Sequence, residues 1–259
     1  MKTSFRNRVR NGEVTIGTFV AIPHPVAVEV SASAGLDFVC IDWEHSQIDE
    51  GRIEDLVRAA DVVGTPAIVR MPGHAPEPIA SALDAGAAGV LVPRVSSAAE
   101  AQAAVSAVRY PPVGMRGAGP GRASRYGYDI AGYIAEANAS LVLAIQVETA
   151  AAVKNIDEIL AVEEIDLVFI GPGDLAVSLG VTGSEGRERL DGAILEVVDA
   201  CRAAGKAVGM FRPDASDIGR WCEKGVSFFI IASDTMFLGK AIADCRAQVA
   251  PMDSPAEED

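Results

Sequence analysis

The chain contains few cysteines and no long apolar segment, and these absences exclude several classes of protein. Its 259 residues include four cysteines, with no CxxC pair and no histidine cluster beside them. This scarcity argues against a disulfide scaffold and a structural zinc site, so we expect free, buried thiols in a reducing cytoplasm at Cys40, Cys201, Cys222 and Cys245. The opening stretch MKTSFRNRVRNGE has no apolar segment, and no run of about 18 apolar residues occurs. We therefore expect neither a signal peptide nor a membrane-spanning helix.

Positive charge and aromatic side chains are also scarce. The chain has 22 Lys and Arg residues against 36 Asp and Glu, and its formal net charge of -14 argues against nucleic acid and anionic membranes as partners. Aromatic residues make up 5%, whereas hydrophobic residues reach 49%, a balance that suits buried parallel strands covered by Ala-rich helices. The last nine residues, PMDSPAEED at 251–259, predict an acidic, disordered tail.

Short apolar runs alternate with longer Ala-rich amphipathic stretches along the chain. Eight runs are interpreted as buried strands, at 15–21, 37–42, 66–70, 89–93, 141–148, 166–171, 207–211 and 227–232. The predicted helices are 25–34, 53–63, 77–85, 98–108, 150–160, 188–203, 215–223 and 234–249, after a short opening helix at 4–11. Eight strand–helix units predict a single (β/α)₈ TIM barrel over residues 1–250. The alternative, an open doubly wound sheet, usually has a Gly-rich first turn, where this chain reads AIPHPVA.

Polar residues stand where the apolar runs end, which is where barrel enzymes place their active sites. These residues are Asp42, Glu44 and His45 after the second strand, Arg70 after the third, Gln146 and Glu148 after the fifth, Gly171 to Asp174 after the sixth, Arg212 after the seventh, and Ser233 and Asp234 after the eighth. Because the strand ends meet at one mouth, carboxylates, a histidine and an arginine are expected to converge there.

The residue types at this mouth allow more than one role. Glu148 and Asp174 offer the oxygen ligands that suit Mg²⁺, Mn²⁺ or Co²⁺, although each of them could instead cap the helix that follows it. His45 is a candidate base, a metal ligand or a loop histidine. Arg70 could hold a substrate carboxylate or an enolate oxygen, or could pair with a strand-end acid.

A Gly-rich basic stretch, GMRGAGPGRASR at 114–125, lacks the P-loop pattern. We expect a mobile loop near the mouth, where Arg116, Arg122, Ser124 and Arg125 would meet an acidic substrate. The alternative is a structural connection that packs against another subunit.

Six segments in order along residues 34–180 carry a more specific signal. They read AGLDFVCIDWEHSQID, VRMPG, LDAGAAGVLVPRV, VRYPPVGMRG, QVETAAAVKNIDEIL and VFIGPGDLAVSLG. Together they resemble the class II, metal-dependent pyruvate aldolases of the HpcH/HpaI family, which includes 4-hydroxy-2-oxoheptanedioate and other hydroxy ketoacid aldolases. The chain differs at Arg94, where some relatives have an uncharged residue, and at Gly173, where others have Ala.

The resemblance implies roles for particular residues. Glu148 and Asp174 would be the ligands of a divalent metal ion, and Gln146 would hold the water molecules of its shell. Gly173 and the backbone N–H of Asp174 would bind the substrate carboxylate at a helix start.

The catalytic groups follow from the same resemblance. Arg70 would stabilise the enolate, and His45 would be the acid/base residue, with Asp84 orienting it. No Schiff-base lysine is required, since Lys154 falls within a helix and Lys206 starts strand seven, at the wrong end of the barrel.

The implied activity is the reversible cleavage of 4-hydroxy-2-oxo acids to pyruvate (or hydroxypyruvate) and an aldehyde, through an enolate. The resemblance further implies a cytoplasmic homohexamer, a trimer of dimers that exchange their last helices, acting in aromatic compound catabolism. One alternative is a CoA-ester lyase of the citryl- or malyl-CoA type on the same barrel, which would need a basic surface for the CoA phosphates. The other is a catalytically inactive protein that binds 2-oxo acids.

Overall fold

A closed parallel barrel forms the centre of the computed structural model, which describes residues 4–181 and 185–249. The eight strands are hydrogen-bonded in chain order, and β1 pairs with both β2 and β8. They are β1 (Thr15–Val20), β2 (Phe38–Asp42), β3 (Ala67–Arg70), β4 (Gly89–Val92), β5 (Val142–Val147), β6 (Leu167–Ile170), β7 (Ala207–Arg212) and β8 (Phe228–Ser233). The predicted TIM barrel is therefore confirmed, with each strand within two residues of its predicted bounds. The predicted tail at 251–259 lies outside the described residues.

Helices cover the outside of the barrel. They are α1 (Phe5–Arg10), α2 (Pro25–Ser33), α3 (Glu50–Val63), α4 (Pro76–Asp84), α5 (Ala98–Val108), α6 (Ile130–Ser140), α7 (Ala150–Lys154), α8 (Ile156–Leu160), α9 (Pro172–Ser178), α10 (Glu185–Ala203), α11 (Ile218–Lys224) and α12 (Asp234–Val249). No helix within 4–181 and 185–249 is both long and apolar enough to cross a bilayer.

Three helical features differ from the sequence prediction. The stretch at 150–160 is two short helices that meet at Asn155, which ends one helix and begins the next and whose amide donates to the carbonyl of Ser96. Helix α6 was not predicted, because its start at Ile130 follows directly on the Gly-rich connection. Helix α9 was expected only as a helix start near Gly173 and Asp174 and was given no bounds, because its Gly-Pro-Gly opening is typical of a turn.

Aromatic rings fill the lower part of the barrel interior. Phe38 and Phe228 stack with ring centroids 4.2 Å apart, and Phe169 meets Phe228 edge-on at 6.3 Å. A Cβ atom at Gly17 would lie 2.5 Å from the Phe38 ring, so only glycine leaves room for this stack. These aromatic contacts pack the interior of the barrel at the end where the strands begin.

A network of buried ion pairs stabilises the base of the barrel, which is the end at which the strands begin. The buried carboxylate of Asp166 accepts hydrogen bonds from Arg6 Nε at 2.9 Å and from Arg109 Nη2 at 2.8 Å, and it also accepts the Leu143 N–H. Because Arg6 belongs to α1, the network fastens the opening helix to β5 and β6. Lys206 also lies at this end, where it donates to backbone carbonyls.

The loop at 114–125 lies at this base and not at the mouth, so the predicted mobile mouth loop is wrong. Arg122 donates to Asp61 at 2.6 Å and to the Ala85 carbonyl at 3.1 Å. A Cβ atom at Gly121 would lie 2.8 Å from the carbonyl oxygen of Asp84, which shows how closely the loop packs against the end of α4. Helix α4 runs antiparallel to its strand, so contacts with its last turn place the loop at the base.

All four cysteines are free thiols, as expected, but they are not all buried. Cys40 and Cys201 are buried, Cys222 is half-buried and Cys245 is exposed. The exposure of Cys245 has a simple reason, because every residue of α12 from Thr235 onward is exposed in the single chain.

Candidate active site

A cavity of about 320 Å³ opens at the carboxyl ends of the strands. Its lining includes the predicted residues His45, Arg70, Gln146, Gly173 and Asp174. Phe19, Phe169 and Phe211 supply apolar walls. The predicted residues come from the ends of four strands, β2, β3, β5 and β6, which are spread over more than a hundred residues of chain and meet at one site, as the strand-end prediction required.

A bidentate ion pair joins the ends of β2 and β3. Arg70 donates from Nε to Asp42 Oδ1 at 2.9 Å and from Nη2 to Asp42 Oδ2 at 2.6 Å, and its guanidinium lies 4.0 Å from the centre of the Phe19 ring. Asp42 Oδ1 also accepts the N–H groups of Glu44 and His45, both at 3.1 Å. Burial alone would lower the pKa of Arg70, but the Asp42 carboxylate outweighs it and the pKa lies above its ordinary value. Arg70 is therefore a fixed cation at the wall of the cavity.

Glu148 is a buried acid at the end of β5. Its Oε1 accepts the backbone N–H of Arg94 at 2.8 Å, and its Oε2 accepts the amide of Gln146. Burial is the main cause that raises the pKa of Glu148 to about 7, and the charges of Glu44 and Asp174 add to the rise. A Cβ atom at Gly171 would lie 3.0 Å from Glu148 Oε2, so the turn after β6 can approach this acid only as glycine.

Glu44 is a site residue to which the sequence analysis assigned no role. Its Oε2 lies 3.6 Å from both Arg70 Nε and His45 Nε2, yet this buried oxygen has no hydrogen-bond partner within the described chain. Burial is the largest cause of its raised pKa. The signal was present in the sequence, since Glu44 stands between Asp42 and His45 in the segment IDWEH.

The acids of the mouth fit a divalent cation with water molecules in its shell. Glu148 and Asp174 are close enough for their charges to interact, and the buried oxygens Glu44 Oε2 and Gln146 Oε1 lack partners. Across residues 4–181 and 185–249, no three His, Cys, Asp or Glu residues are grouped as a complete metal site. Two carboxylates suffice for ions such as Mg²⁺, which commonly take one or two protein carboxylates and complete their shell with water and substrate oxygens.

The helix-capping alternative is not supported for either acid. Thr149, not Glu148, caps α7, because its hydroxyl accepts the Ala152 N–H at 3.0 Å. Asp174 lies in the first turn of α9, which has no side-chain cap, and its carboxylate accepts no hydrogen bond from the described residues. Both acids are therefore available for a ligand.

His45 and Asp84 are not brought together within one chain. His45 lies at the mouth with its side chain half-exposed, whereas Asp84 ends α4 at the base, where it accepts Arg116 Nη2 at 2.6 Å. Arg116 is itself buried against Tyr110 and Tyr133, at 4.8 and 5.4 Å from their ring centres. A contact between His45 and Asp84 would therefore require a second copy of the chain.

The remaining histidines have structural contacts. A ring nitrogen of His24 accepts the Val26 N–H at the start of α2, and His74 Nε2 lies 2.6 Å from the carbonyl oxygen of Pro93. His45 is thus the histidine that lines the cavity.

Comparison with known proteins agrees with this architecture. A model of the HpcH/HpaI aldolase/citrate lyase family matches residues 15–241, and the chain belongs to that family. It is 37% identical to a hydroxypyruvate/pyruvate aldolase of Pseudomonas aeruginosa (93% of this chain, 90% of that protein) and 38% identical to a 4-hydroxy-2-oxovalerate aldolase of Novosphingobium aromaticivorans (93% and 92%). A crystal structure of a family member from Burkholderia cenocepacia superposes with a TM-score of 0.89 at 32% identity, covering 95% of this chain and 98% of that one. The family and the aldolase class predicted from the motifs are confirmed.

Proposed function

We propose that the protein is a metal-dependent pyruvate aldolase that reversibly cleaves 4-hydroxy-2-oxo acids to pyruvate or hydroxypyruvate and an aldehyde. The observation that carries the proposal is the arrangement at the mouth: Arg70 and Asp174 line the cavity, and the buried acid Glu148 lies directly behind Gln146 of the cavity wall, close enough for its charge to interact with that of Asp174. Aldol chemistry on a 2-oxo acid needs this combination, because negative charge develops on the keto oxygen when the neighbouring carbon loses a proton.

Glu148 and Asp174 are proposed to hold the divalent ion, one of Mg²⁺, Mn²⁺ or Co²⁺. Bound there, the ion would act as a Lewis acid on the keto oxygen and make the adjacent carbon more acidic. Gln146 supports the site because its amide holds one oxygen of Glu148 and its own carbonyl oxygen remains without a partner. The backbone N–H groups of Gly173 and Asp174, in the first turn of α9, are proposed to bind the substrate carboxylate.

Arg70 is proposed to stabilise the enolate. Asp42 occupies Nε and Nη2 of its guanidinium, so Nη1 is the nitrogen that remains for a substrate oxygen. The bidentate pair and the Phe19 ring fix the position of the cation before substrate arrives, and a preorganised donor does not have to reorient during the reaction.

His45 is proposed as the acid/base residue, which accepts the proton that leaves the donor carbon and can return it. It lines the cavity beside Glu44, and an imidazole has two ring nitrogens, one of which can accept a proton while the other donates one, which suits a group that carries a proton in both directions. In the reverse direction the same group would take the proton from the 4-hydroxyl group. Orientation by Asp84 is proposed to come from a neighbouring subunit.

A cytoplasmic homohexamer, a trimer of dimers, is proposed as the functional assembly. Helix α12 supports it, because 15 of its residues are exposed and include Phe237, Leu238 and Ile242 at 48%, 55% and 62% exposure. Apolar patches of this kind mark contacts between proteins. Exchange of α12 between neighbours would bury it and would also bring a second chain to the mouth, beside Met236. Sedimentation or light scattering measures the mass directly.

One experiment tests the activity. Purified protein is assayed for aldol addition of pyruvate to a hydroxyaldehyde, before and after EDTA treatment and after Mg²⁺, Mn²⁺ or Co²⁺ is restored. We expect turnover that is lost with the chelator and returns with the metal. Full activity after exhaustive chelation would contradict the metal role, and cleavage of CoA esters in place of hydroxy-oxo acids would favour the CoA-lyase alternative.

A further inference from the structure

An arginine at the rim of the mouth has a guanidinium without a hydrogen-bonding partner. Arg94 follows β4, and its backbone N–H donates to Glu148 Oε1 at 2.8 Å, which fixes its position relative to the proposed metal ligand. Its φ of 53° lies in the left-handed region, which is uncommon for a residue other than glycine. The side chain is 66% exposed, and its nearest acid is Glu44, whose Oε1 lies 4.0 Å from Arg94 Nε, beyond hydrogen-bond distance.

The other two arginines at the described strand ends of the mouth already bind carboxylates of the protein. Arg70 makes two hydrogen bonds to Asp42, and Arg212 makes two to Asp217. Both pairs are bidentate, the geometry that a guanidinium prefers with a carboxylate. Arg94 is the one of these three that can offer the same geometry to a ligand.

We propose that Arg94 binds an anionic group at the far end of the acceptor aldehyde, so that the enzyme prefers aldehydes that carry a second carboxylate. The inference rests on the proposed aldolase function, since it assigns the acceptor side of the same site. If pyruvate is held in the cavity beside Arg70, the aldehyde would enter from the open side, and Arg94, fixed next to Glu148 at the neighbouring strand end, is placed to meet its tail.

The charges around the rim make such a cation necessary for an anionic acceptor. Glu44, Glu148 and Asp174 all lie at the mouth, and the whole chain carries a formal charge of -14, so an anionic tail meets repulsion unless a local cation binds it. A neutral tail gains nothing from Arg94. Arg94 is therefore a specificity-determining residue.

Binding of two uncleavable oxo acids tests the proposal. 2-Oxoheptanedioate and 2-oxoheptanoate both lack the 4-hydroxyl group that cleavage requires, and they differ in whether a carboxylate stands at the far end. Their Kd values are measured by calorimetry on Mg²⁺-loaded enzyme. We expect the dioate to bind about 5- to 30-fold more tightly, the range for one charged hydrogen-bonded pair of 1–2 kcal/mol.

Three variants assign the preference to the side chain. Arg94→Met, which keeps the backbone N–H to Glu148, should bind the two acids about equally, and Arg94→Lys should keep part of the preference because it retains charge without the planar fork. Arg125→Met is the matched control: Arg125 is also exposed with a φ of 54°, but it lies at the base of the barrel. It should behave as wild type.

The outcomes separate this proposal from the proposed function. Equal affinities in the wild type, or an undiminished preference in Arg94→Met, would overturn the role of Arg94 while leaving the aldolase intact. Failure of both oxo acids to bind the loaded wild type would instead contradict the aldolase site itself. As a kinetic check, the ratio of kcat/KM for succinic semialdehyde to that for butanal should fall about 5- to 30-fold in Arg94→Met and stay unchanged in Arg125→Met.

Discussion

The two ends of the barrel each hold a buried arginine–aspartate pair, but the surroundings of the pairs differ. At the base, Asp166 accepts hydrogen bonds from both Arg6 and Arg109, so the charge of this buried acid is neutralised by neighbouring cations. At the mouth, Arg70 and Asp42 form a bidentate pair next to further acids, and Glu44 keeps a buried oxygen without a partner. Among these buried groups, acids outnumber cations at the mouth, where the cavity opens, and cations outnumber the acid at the base.

This difference distinguishes charged groups that stabilise the fold, such as those of the base, from acids at the mouth that have no partner until a ligand binds. Removing one partner of a buried ion pair typically costs about 3–5 kcal/mol, because the other charge is left in a poor solvent. A repelling group of carboxylates, by contrast, costs stability until a cation binds it. We expect substitutions at the base to change unfolding and substitutions at the mouth to change turnover, with Arg70 changing both because it is also half of a buried ion pair.

The largest loss is expected when the carboxylate pair is broken. Glu148→Gln and Asp174→Asn should each reduce metal affinity and lower aldol turnover about 10³-fold or more, since a Lewis acid contributes several kcal/mol to stabilising the developing charge. Metal binding is measured by calorimetry with Mn²⁺, and turnover by aldol addition. Glu196→Gln, at an exposed position on α10, serves as the control. Normal metal stoichiometry and rate in both mouth variants would remove these residues from the site.

His45→Ala should come next, with proton exchange at the pyruvate methyl group slowed by about 10²–10⁴-fold, the usual range for a positioned acid or base. Metal affinity should change little, because the imidazole is proposed as a proton carrier and not as a ligand. Deuterium exchange into pyruvate followed by NMR measures the step without any aldehyde. Loss of the metal in His45→Ala would place His45 in the coordination shell instead.

Variants of one buried arginine at each end of the barrel distinguish a role in the reaction from a role in stability. Arg70→Ala should slow deuterium exchange about 10²–10³-fold, the contribution of one preorganised donor, while Arg70→Lys keeps part of the rate. Arg109→Ala should instead lower the free energy of unfolding by about 3–5 kcal/mol and leave the exchange rate of the folded protein unchanged. Wild-type exchange in Arg70→Ala would show that this cation does not stabilise the enolate.

The barrel could be predicted from the sequence because its signal is local and repeated. Buried parallel strands are continuous apolar runs, so the strand bounds follow from where polar residues begin, and Glu148 and Asp174 are recognised by their positions just beyond those runs. Helix bounds were less certain where Gly and Pro open a helix, as they do before Leu175 in α9. Such sequences are typical of turns as well as of helix starts.

Long-range pairing could not be read from local pattern. The buried Arg116 was expected at the mouth because a Gly-rich basic loop is typical of a ligand-binding loop, yet its partner Asp84 lies 32 residues away at the base. Asp84 was expected beside His45, and the single chain separates them by the length of the barrel. The position of the loop depends on which end of the barrel a connection crosses, and that is set by the tertiary fold. The pairing of His45 with Asp84 was implied by the family resemblance, and it stays a prediction about two chains.

The smallest expected effect concerns pH and the stability of the metal-free protein. The pKa of Glu148 is raised from 4.5 to about 7, so between these values the native state holds a proton that the unfolded chain has lost. The free energy of unfolding should therefore fall as pH rises from about 4.5 to 7, by about 1–3 kcal/mol, since each pH unit is worth at most about 1.4 kcal/mol. Glu44, whose pKa is also raised, acts in the same direction, so Glu148→Gln should remove part of this slope and not all of it.

Urea unfolding of EDTA-treated protein at pH 5 and pH 7.5 measures the effect, with Glu196→Gln as the control that keeps the full slope. Metal must displace the proton from Glu148, so saturating Mg²⁺ or Mn²⁺ should stabilise the protein more at pH 7.5 than at pH 5, and apparent affinity should weaken about tenfold per pH unit below 7. The two signs together identify the mouth as the source, because Glu148 and Glu44, the two acids with a raised pKa on which the prediction depends, both lie there. An unchanged slope in Glu148→Gln would show that the destabilising charge lies elsewhere, and the division between a stabilising base and a ligand-binding mouth would then fail at Glu148.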